Sequence, residues 1–243
     1  MRNRFWFAGI ILFLLGWQIA AMLLGTLMLP VPIEVLKKLW LLAGSGQLLA
    51  DIGWTLLRVV LGVGIGFVLG LALGVMLVHS RPLFVLVDPL VQLLRPVSPF
   101  ALTPLVILLF GLGNAPAIVT ILAGILLPAT VIVFEALRKI DPDLLDIARI
   151  FGVSGWQRVR EVELPLIRPQ LLAAARVLFG VGWILAVGAE MLAANSGLGY
   201  QLMNARYLLD FPRLYAMILV VGVIGYLADF ALRRVEALGS RQG

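Results

Sequence analysis

The sequence contains no cysteine, a single histidine and few charged residues, which make up 13% of its 243 positions. Without cysteine there is no disulfide framework, no thiolate metal site and no cysteine nucleophile. His79 has no second ligand beside it, so the sequence predicts no metal site. Because 62% of the residues are hydrophobic, there are too few polar side chains to cover a soluble domain of this length. These shortages exclude a large soluble protein.

The net charge of +6 does not indicate a nucleic-acid partner. Such a partner would require basic residues clustered on one solvated face, whereas here they are spread between apolar runs. The chain also lacks the G-x-x-x-x-G-K-[ST] loop that cradles nucleotide phosphates. We therefore expect neither nucleic acid nor a bound cofactor on this chain.

Long apolar runs are abundant, and each is long enough for a membrane helix of about 20 residues. The sequence therefore predicts an all-α membrane protein of about six transmembrane helices, forming a single domain over residues 1–243. The third run contains four prolines, so we expect an interrupted helix there, buried against protein or a cavity. The predicted spans are residues 5–29, 54–78, 83–110, 115–134, 169–194 and 214–232.

Lysine and arginine in the connections predict the orientation of these spans. With the N-terminus inside, the cytoplasmic segments hold twelve such residues and the external segments hold four. Positive residues concentrate on the cytoplasmic side of membrane proteins. The first apolar run is also longer than the about 7–15 residues of a signal-peptide core. We therefore expect a retained first helix, both termini in the cytoplasm, and residues 139–168 as a cytoplasmic loop.

That loop is unusually charged and has the pattern of two short helices. Asp141 suits an N-cap, Pro142 suits the first helical position, and Gly152 suits the residue after the helix. An apolar stripe of Leu144, Ala148 and Phe151 runs along this first helix. Such a stripe indicates a docking element for another protein, and an ordinary solvated loop is the alternative.

The second short helix is predicted between Ser154 and Pro165. Ser154 and Gln157 have the spacing of a capping box, and Pro165 is expected to end the helix. Together the two helices would form a compact element with a glycine hinge at Gly152.

The stretch "DIARIFGVSGWQRVREVELP" resembles the cytoplasmic loop motif of ATP-binding-cassette (ABC) importer permeases. That motif reads E-A-A, three residues, Gly, nine residues, then I-x-L-P, and the spacing matches throughout. The departures are Asp for Glu, Ile for the middle Ala, and Val for Ile. The residues that fill the motif are Asp146, Ile147, Ala148, Gly152, Val162, Leu164 and Pro165.

Other stretches are similar to the nitrate, sulfonate, taurine and bicarbonate permeases of that superfamily. They are "RPVSPFALTPLVILLFGLG", "GVGWILAVGAEMLAANSGLGY" and "MNAR", and the resemblance covers roughly residues 45–236. The runs "AANSGLGYQLMNAR" and "GSGQL" are most similar to aliphatic-sulfonate permeases.

This resemblance implies a type I ABC importer permease fold in the bacterial inner membrane. It further implies two separate ATPase subunits that bind ATP and Mg, a second copy of the permease, and a periplasmic or lipid-anchored substrate-binding protein. The chain itself would not be an enzyme. Residues 139–168 would carry the coupling helix, which converts ATPase closure into movement of the membrane helices. The alternatives are an ABC permease for a different small solute and an ATP-independent secondary transporter.

Charged residues inside the spans are candidates for function because they are costly in a bilayer. Arg95 lies in the proline-broken segment and Glu190 in the fifth span. They either form a structural pair that fixes the broken helix or belong to a pathway or gate. Arg58 and Arg176 lie close to the starts of spans, where we expect them to snorkel, and Asp88 is expected at a helix terminus.

The segment after the fifth span supplies further gate candidates. Its glycines can adopt positive φ and its amides can bond the backbone, so it predicts either a re-entrant gate or a short turn. The candidates are Asn195, Ser196, Gly197 and Gly199.

Because the chain has no native cysteine, its orientation can be tested with single introduced cysteines. We expect cysteines at Ser154 and Gly239 to react only with reagents that enter the cytoplasm, and a cysteine at Gly46 to react from outside. The measurement is thiol labelling of intact cells with a membrane-impermeant reagent. External labelling at Ser154 would contradict the predicted orientation and the docking role of the loop.

Overall fold

The structure is a computed structural model, and it describes residues 2–239. Every regular element among these residues is helical, which confirms the all-α class. The elements are α1 Arg2–Leu24, α2 Pro32–Gly44, α3 Gln47–His79, α4 Arg81–Leu94, α5 Pro99–Phe110, α6 Asn114–Arg138, α7 Pro142–Ile150, α8 Gly155–Arg158, a π-helix Val159–Glu163, α9 Leu164–Leu166, α10 Arg168–Ala193, α11 Leu198–Tyr207 and α12 Phe211–Gly239. Of the charges that predict the orientation, Arg241 and the side chains of Arg2 and Arg4 lie outside the described part.

The number of membrane-crossing helices only roughly matches the predicted six. Within residues 2–239, four single helices (α3, α6, α10 and α12) are long and apolar enough to cross a membrane. The bent pair of α4 and α5 brings the number to five. The first predicted span, 5–29, instead ends at Leu24, because Gly25 has a φ of 55° and terminates α1. The side chains of residues 5–8 of that span lie outside the described part.

The predicted interruption of the third span corresponds to a sharp bend. The axes of α4 and α5 meet at 100° across a break of four residues. Pro96 lies in the break, and Pro99 begins α5 after an extended Ser98, as expected for a residue before proline. Pro89 and Pro104 lie inside α4 and α5 without ending them. The bend therefore depends on the closely spaced pair of prolines rather than on all four.

The centre of the bundle is the contact between α3 and α6. Four glycines of α3 spaced by four residues (Gly62, Gly66, Gly70 and Gly74) face Ile121, Ile125, Ala129 and Val133 of α6. A Cβ added at Gly70 would lie 2.5 Å from the Ala129 Cβ and 2.9 Å from a backbone oxygen. Small residues at this spacing allow helix backbones to approach closely. Gly64 lies on another face and contacts nothing within 4 Å.

Helix α10 completes the core by packing on both α3 and α6. Leu178, Trp183 and Ala186 of α10 join the buried cluster that contains Val59 and Ile121. Because α6 ends and α10 begins next to residues 139–167, that loop marks one end of the bundle. The start of α6 and the end of α10 mark the opposite end, where the Gly113 N–H donates to the Ala193 carbonyl.

Candidate functional site

A buried ion pair joins α3 to α10 at the end of the bundle opposite the loop. Arg58 Nη1 lies 2.6 Å from Glu190 Oε1, and the two side chains are 1% and 0% exposed. Arg58 also donates to the Asn114 Oδ1 atom, from Nε at 3.0 Å and from Nη2 at 2.6 Å. The prediction that Arg58 snorkels is therefore wrong, because its guanidinium is turned into the core, where partners on α6 and α10 satisfy it.

The second oxygen of Glu190 is satisfied as well. Oε2 accepts a hydrogen bond from Thr55 Oγ1 at 2.9 Å and another from the Gly199 N–H at 2.9 Å. Glu190 lies three residues before the end of α10, and not deep in that helix. A buried charge is tolerated when it is paired and its remaining lone pairs are bonded, and Glu190 meets both conditions.

Asp51 is a second buried carboxylate in the same region, at 5% exposure. It accepts from the Gly197 N–H at 2.8 Å and from Gln201 Nε2 at 2.6 Å. The sequence analysis missed Asp51, although a signal was present. Asp51, Thr55 and Arg58 follow the i, i+4, i+7 spacing that places polar groups on one face of a helix.

The predicted gate segment lies over this polar face of α3. The Ser196 carbonyl accepts from Arg58 Nη1 at 2.7 Å and its Oγ from Nη2 at 2.7 Å. Gly197 has a φ of 102°, and an added Cβ would lie 2.6 Å from Arg58 Nη1. Gly199 donates to Glu190, whereas Asn195 is exposed. We call these interlocked residues the outer cluster: Asp51, Thr55, Arg58, Asn114, Glu190, Ser196, Gly197, Gly199 and Gln201.

Arg95 makes no hydrogen bond or ion pair with this cluster among the described residues. It follows the last residue of α4, at the break before α5, and its side chain is exposed. It lines cavities together with Leu127 and Pro128 of α6. The expected structural pair of Arg95 with Glu190 is therefore wrong, since Arg58 occupies that position.

Two further predictions about charges are corrected. Arg176 does not simply snorkel, because it bonds Asp229 at 2.9 Å and Glu236 at 3.2 Å on α12. Asp88 lies inside α4 and not at its terminus, and it accepts from Gln92 at 2.7 Å. The partner of Asp88 lies one turn along the same helix, and the partners of Arg176 lie on α12. The spacing of apolar residues in the sequence does not predict either kind of pairing.

The first half of the 139–168 loop begins and ends where the sequence predicts. Asp141 Oδ1 accepts from the Asp143 N–H at 3.0 Å and caps α7. The helix ends at Ile150, and Gly152 follows with a φ of 79°. Of the predicted apolar stripe only Ala148 is buried, at 8% exposure, whereas Phe151 is 80% exposed. The stripe therefore faces outwards rather than into this chain.

The second half of the loop differs from the prediction. Ser154 precedes α8 but its side chain makes no capping bond, and Gln157 donates to Glu161 at 3.0 Å instead. Pro165 does not end a helix. It lies in the first turn of α9, after a π-helical segment in which Val162 is half-buried.

Glu163 ties this loop to the end of α3. It is 2% exposed, and its Oε1 accepts from Arg158 Nε at 2.8 Å. His79 Nε2 lies 3.1 Å from Glu163 Oε2 and 3.2 Å from Oε1. Leu164 packs beside it on Val133 and Leu137 of α6. The sequence analysis missed this link because Glu163 occupies the unspecified position of the I-x-L-P pattern.

Several large apolar side chains of the loop are largely uncovered by the residues that the structure describes. Ile147 is 50% exposed, Ile150 82%, Phe151 80% and Trp156 70%. Next to them, Asp146 and Arg149 form an exposed ion pair at 2.9 Å. Exposed apolar groups rimmed by polar residues are typical of protein interaction surfaces. We call Ile147, Ile150, Phe151 and Trp156 the loop patch.

Comparison with known proteins gives consistent matches. Residues 62–238 match the family model described as binding-protein-dependent transport system inner membrane component. The chain is 31% identical over 241 residues to a Bacillus subtilis strain 168 protein named as the aliphatic sulfonates transport permease SsuC, covering 97% of this chain and 87% of that protein. It is 30% identical over 232 residues to the taurine transport system permease protein TauC of Escherichia coli K12, covering 93% and 84%.

The fold also matches solved structures. A chain of the MetNI methionine ABC transporter, in an inward-facing conformation, superposes with a TM-score of 0.71 and is 24% identical. The match covers 81% of this chain and 98% of that chain. The helices described above therefore have the arrangement of an ABC importer chain.

The buried pair of Arg58 and Glu190 generates a stability prediction. Replacing either residue with leucine leaves the other charge buried and unpaired, which costs about 3–5 kcal/mol. The double replacement should cost less than the sum of the two single ones, because no charge is then left uncompensated. The measurement is thermal unfolding of the purified chain in detergent.

The matched control is Asp146→Asn, which breaks an ion pair whose side chains are 69% and 63% exposed. An exposed pair contributes about 0–1 kcal/mol, so its loss should hardly change the unfolding temperature. Single leucine variants as stable as this control would show that the outer cluster does not hold the helices together.

Proposed function

The chain belongs to the family of binding-protein-dependent transport system inner membrane components, and we propose that it moves a small oxyanion into the cytoplasm as the permease subunit of an ATP-driven importer. Among oxyanions an organic sulfonate is favoured over nitrate, taurine and bicarbonate. This choice is supported by the similarity to permeases named for aliphatic sulfonates and for taurine. An ATP-independent secondary transporter does not account for the family match.

The family implies an ATPase and a substrate-binding protein as partners. We propose that two ATPase subunits carry ATP and Mg, and that two copies of this permease form the pathway between them. A periplasmic or lipid-anchored binding protein delivers the cargo. In this arrangement the chain has no enzymatic site of its own. It lies in the bacterial inner membrane, with both termini in the cytoplasm.

The loop patch is the observation that carries this proposal. Its four large side chains are exposed on α7, on the turn of residues 151–154 that contains Gly152, and on α8. Exposed aromatic and aliphatic groups close together in the sequence are what a groove on a partner protein would bury. The Glu163 link gives that surface a firm attachment to α3 through His79. Movement of a docked ATPase would thus be transmitted to the membrane helices. We assign this coupling role to the residues of the loop motif, Asp146, Ala148, Gly152, Val162, Leu164 and Pro165.

The outer cluster has a different role in this proposal. It attaches residues 196–199 to α3 and α10 by several buried hydrogen bonds. The segment therefore moves together with these helices and not as an independent flap. A gate formed by Ser196, Gly197 and Gly199 would open through displacement of the whole helix ends, and the exposed Asn195 would face the opening.

Replacing Gly152 with valine tests the coupling. Its φ of 79° is a backbone conformation that a β-branched residue avoids, so α7 and α8 should meet at a different angle. An added Cβ contacts nothing within 4 Å, and the membrane helices should remain folded. We expect weaker co-purification of the ATPase and at least a severalfold loss of ATP-driven uptake in proteoliposomes.

Ser154→Val is the matched control on the same loop. Ser154 has a φ of −141°, which suits valine, and its side chain makes no capping bond. Normal uptake by both variants would show that the loop is not the coupling element.

The cargo is tested by growth on an alkanesulfonate as the sole source of sulfur. Deletion of the chain in a strain without a redundant importer should abolish growth, and restoration of the chain should recover it. Unimpaired growth of the deletion strain would exclude sulfonates and leave the other oxyanions. A partner binding protein that captures a cation or a neutral heterocycle would contradict the anion assignment.

A further inference from the structure

Arg95 is the arginine of the predicted spans whose charge is not neutralised by a carboxylate among the described residues. Arg58 is paired with Glu190 at 2.6 Å and Arg176 with Asp229 at 2.9 Å. Arg95 has an exposed side chain at the α4–α5 break. An uncompensated charge within a membrane protein is costly and faces a water-filled cavity or an anion. Its surroundings therefore indicate what it binds.

Arg95 lies about halfway along the bundle. Two cavities that it lines are also lined by Leu127 and Pro128, and these residues are at the middle of the 25-residue helix α6. The larger cavity is also lined by Val181 and Leu185 of α10, which lie in the central part of that 26-residue helix. Broken helices at the middle of the bilayer are where transporters commonly bind their cargo.

The larger cavity has a volume of about 410 Å³. Small-molecule sites are about 300–1,000 Å³, so this volume suits a small solute. Arg95 is its one ionisable lining residue, and the other lining residues, from the α4–α5 break, α6 and α10, are apolar. The adjoining cavity of about 240 Å³ has the same character, with Val91, Val131 and Ile132 beside Arg95. A single cation thus lies at the edge of an apolar wall.

We propose that Arg95 and the apolar cavity beside it form a binding site within the permease for a small organic oxyanion. The guanidinium donates hydrogen bonds to the oxyanion head, for which its planar fork is well suited. The hydrocarbon part of the cargo covers Leu127, Val181 and Leu185. An inorganic anion would leave this wall uncovered, and a cation would be repelled by Arg95.

This inference rests on the proposed function and adds the part of the permease that contacts the cargo. It also separates two contributions to selectivity. The head group is common to all alkanesulfonates, so Arg95 contributes equally to each of them. The apolar wall contributes in proportion to the hydrocarbon surface that it covers. Loss of Arg95 should therefore reduce transport of every sulfonate without changing which one is preferred.

The test uses the complete permease–ATPase complex in lipid nanodiscs, without ATP and without the binding protein. Binding of ethane-, butane- and hexanesulfonate is measured by titration calorimetry, with sulfate and butylammonium for comparison. We expect the wild-type Kd to fall about three- to fourfold for each added methylene until the cavity is full. Sulfate and butylammonium should bind at least about tenfold more weakly than butanesulfonate.

Three variants separate the contribution of the sulfonate head group to binding from that of the hydrocarbon chain. Arg95→Ala should weaken all sulfonates by a similar factor of about ten or more. Arg95→Lys should recover part of this loss, because it keeps the charge but not the fork. Val181→Phe narrows the cavity from α10 and should weaken hexanesulfonate more than ethanesulfonate. Arg234→Ala, which removes an exposed arginine on α12, is the matched control and should leave every Kd unchanged.

The inference is overturned if the wild-type complex binds no alkanesulfonate, or if the three site variants bind all of them as well as the wild type. It is also overturned if Arg95→Ala dissociates the two permease copies while Val181→Phe binds normally, because Arg95 would then pair with a second copy.

ATP-driven uptake with the binding protein, measured on the same complex, distinguishes the two proposals. If the complex takes up sulfonate but binds none in the calorimeter, the inference is wrong and the proposed function stands. If it binds sulfonate but does not take it up, the proposed function is wrong.

Discussion

The close contact of α3 with α6 is the constraint on which the rest of the structure depends. Gly62, Gly66, Gly70 and Gly74 bring the two backbones together at four successive turns, and larger residues there would separate the helices. Arg58 lies about a third of the way along α3 and His79 is the last residue of that helix, so they are 21 residues or about 30 Å apart. Because α6 packs against α3 along most of this length, we expect the two residues to move as parts of one rigid body. The Glu163 link and the outer cluster are therefore mechanically connected through α3.

The three arginines of the predicted membrane spans show how differently the fold accommodates similar charges. Arg58 is buried, and its partners come from α6, α10 and residue 196, so removing it would affect three elements. Arg176 is partly exposed and holds α10 to α12 through two carboxylates. Arg95 follows a helix end at a proline break and faces apolar cavities. Among the described residues, the first two charges hold helices of this chain together, and Arg95 has no such partner.

The sequence predicted features that depend on neighbouring residues. The apolar runs predict the helices, the four prolines of the third run predict an interruption there, and Asp141 and Gly152 mark the two ends of α7. Pairings between distant residues were not predictable in the same way. Arg58 and Glu190 are separated by 132 positions. The pattern of apolar residues predicts where helices lie, but it does not predict which distant side chains will pair. From the sequence alone, Arg95 is an equally reasonable partner of Glu190.

The same reason explains why the loop was predicted less accurately after Gly152 than before it. Caps act within one turn, so Asp141 was recognisable from the sequence. The course of residues 155–167 depends instead on Glu163, which is buried because it meets Arg158 and His79, and His79 belongs to another helix. Those contacts favour a continuous helical path over the separate helix that Ser154 and Pro165 had suggested.

The two ends of the bundle differ in the free energy that a displacement of their residues would require. At the outer cluster both oxygens of Glu190 and of Asp51 are bonded inside the protein, so any displacement that separates these partners leaves buried charge unpaired. At the loop the large apolar groups are uncovered, and burying them on a partner lowers the free energy. Among the described residues, the backbone hydrogen bonds at the α4–α5 break run from Arg95 to Val91, from Val97 to Leu94 and from Ala101 to Ser98, and none of them joins α4 to α5. We therefore expect conformational change to alter the angle at this break while the outer cluster stays intact.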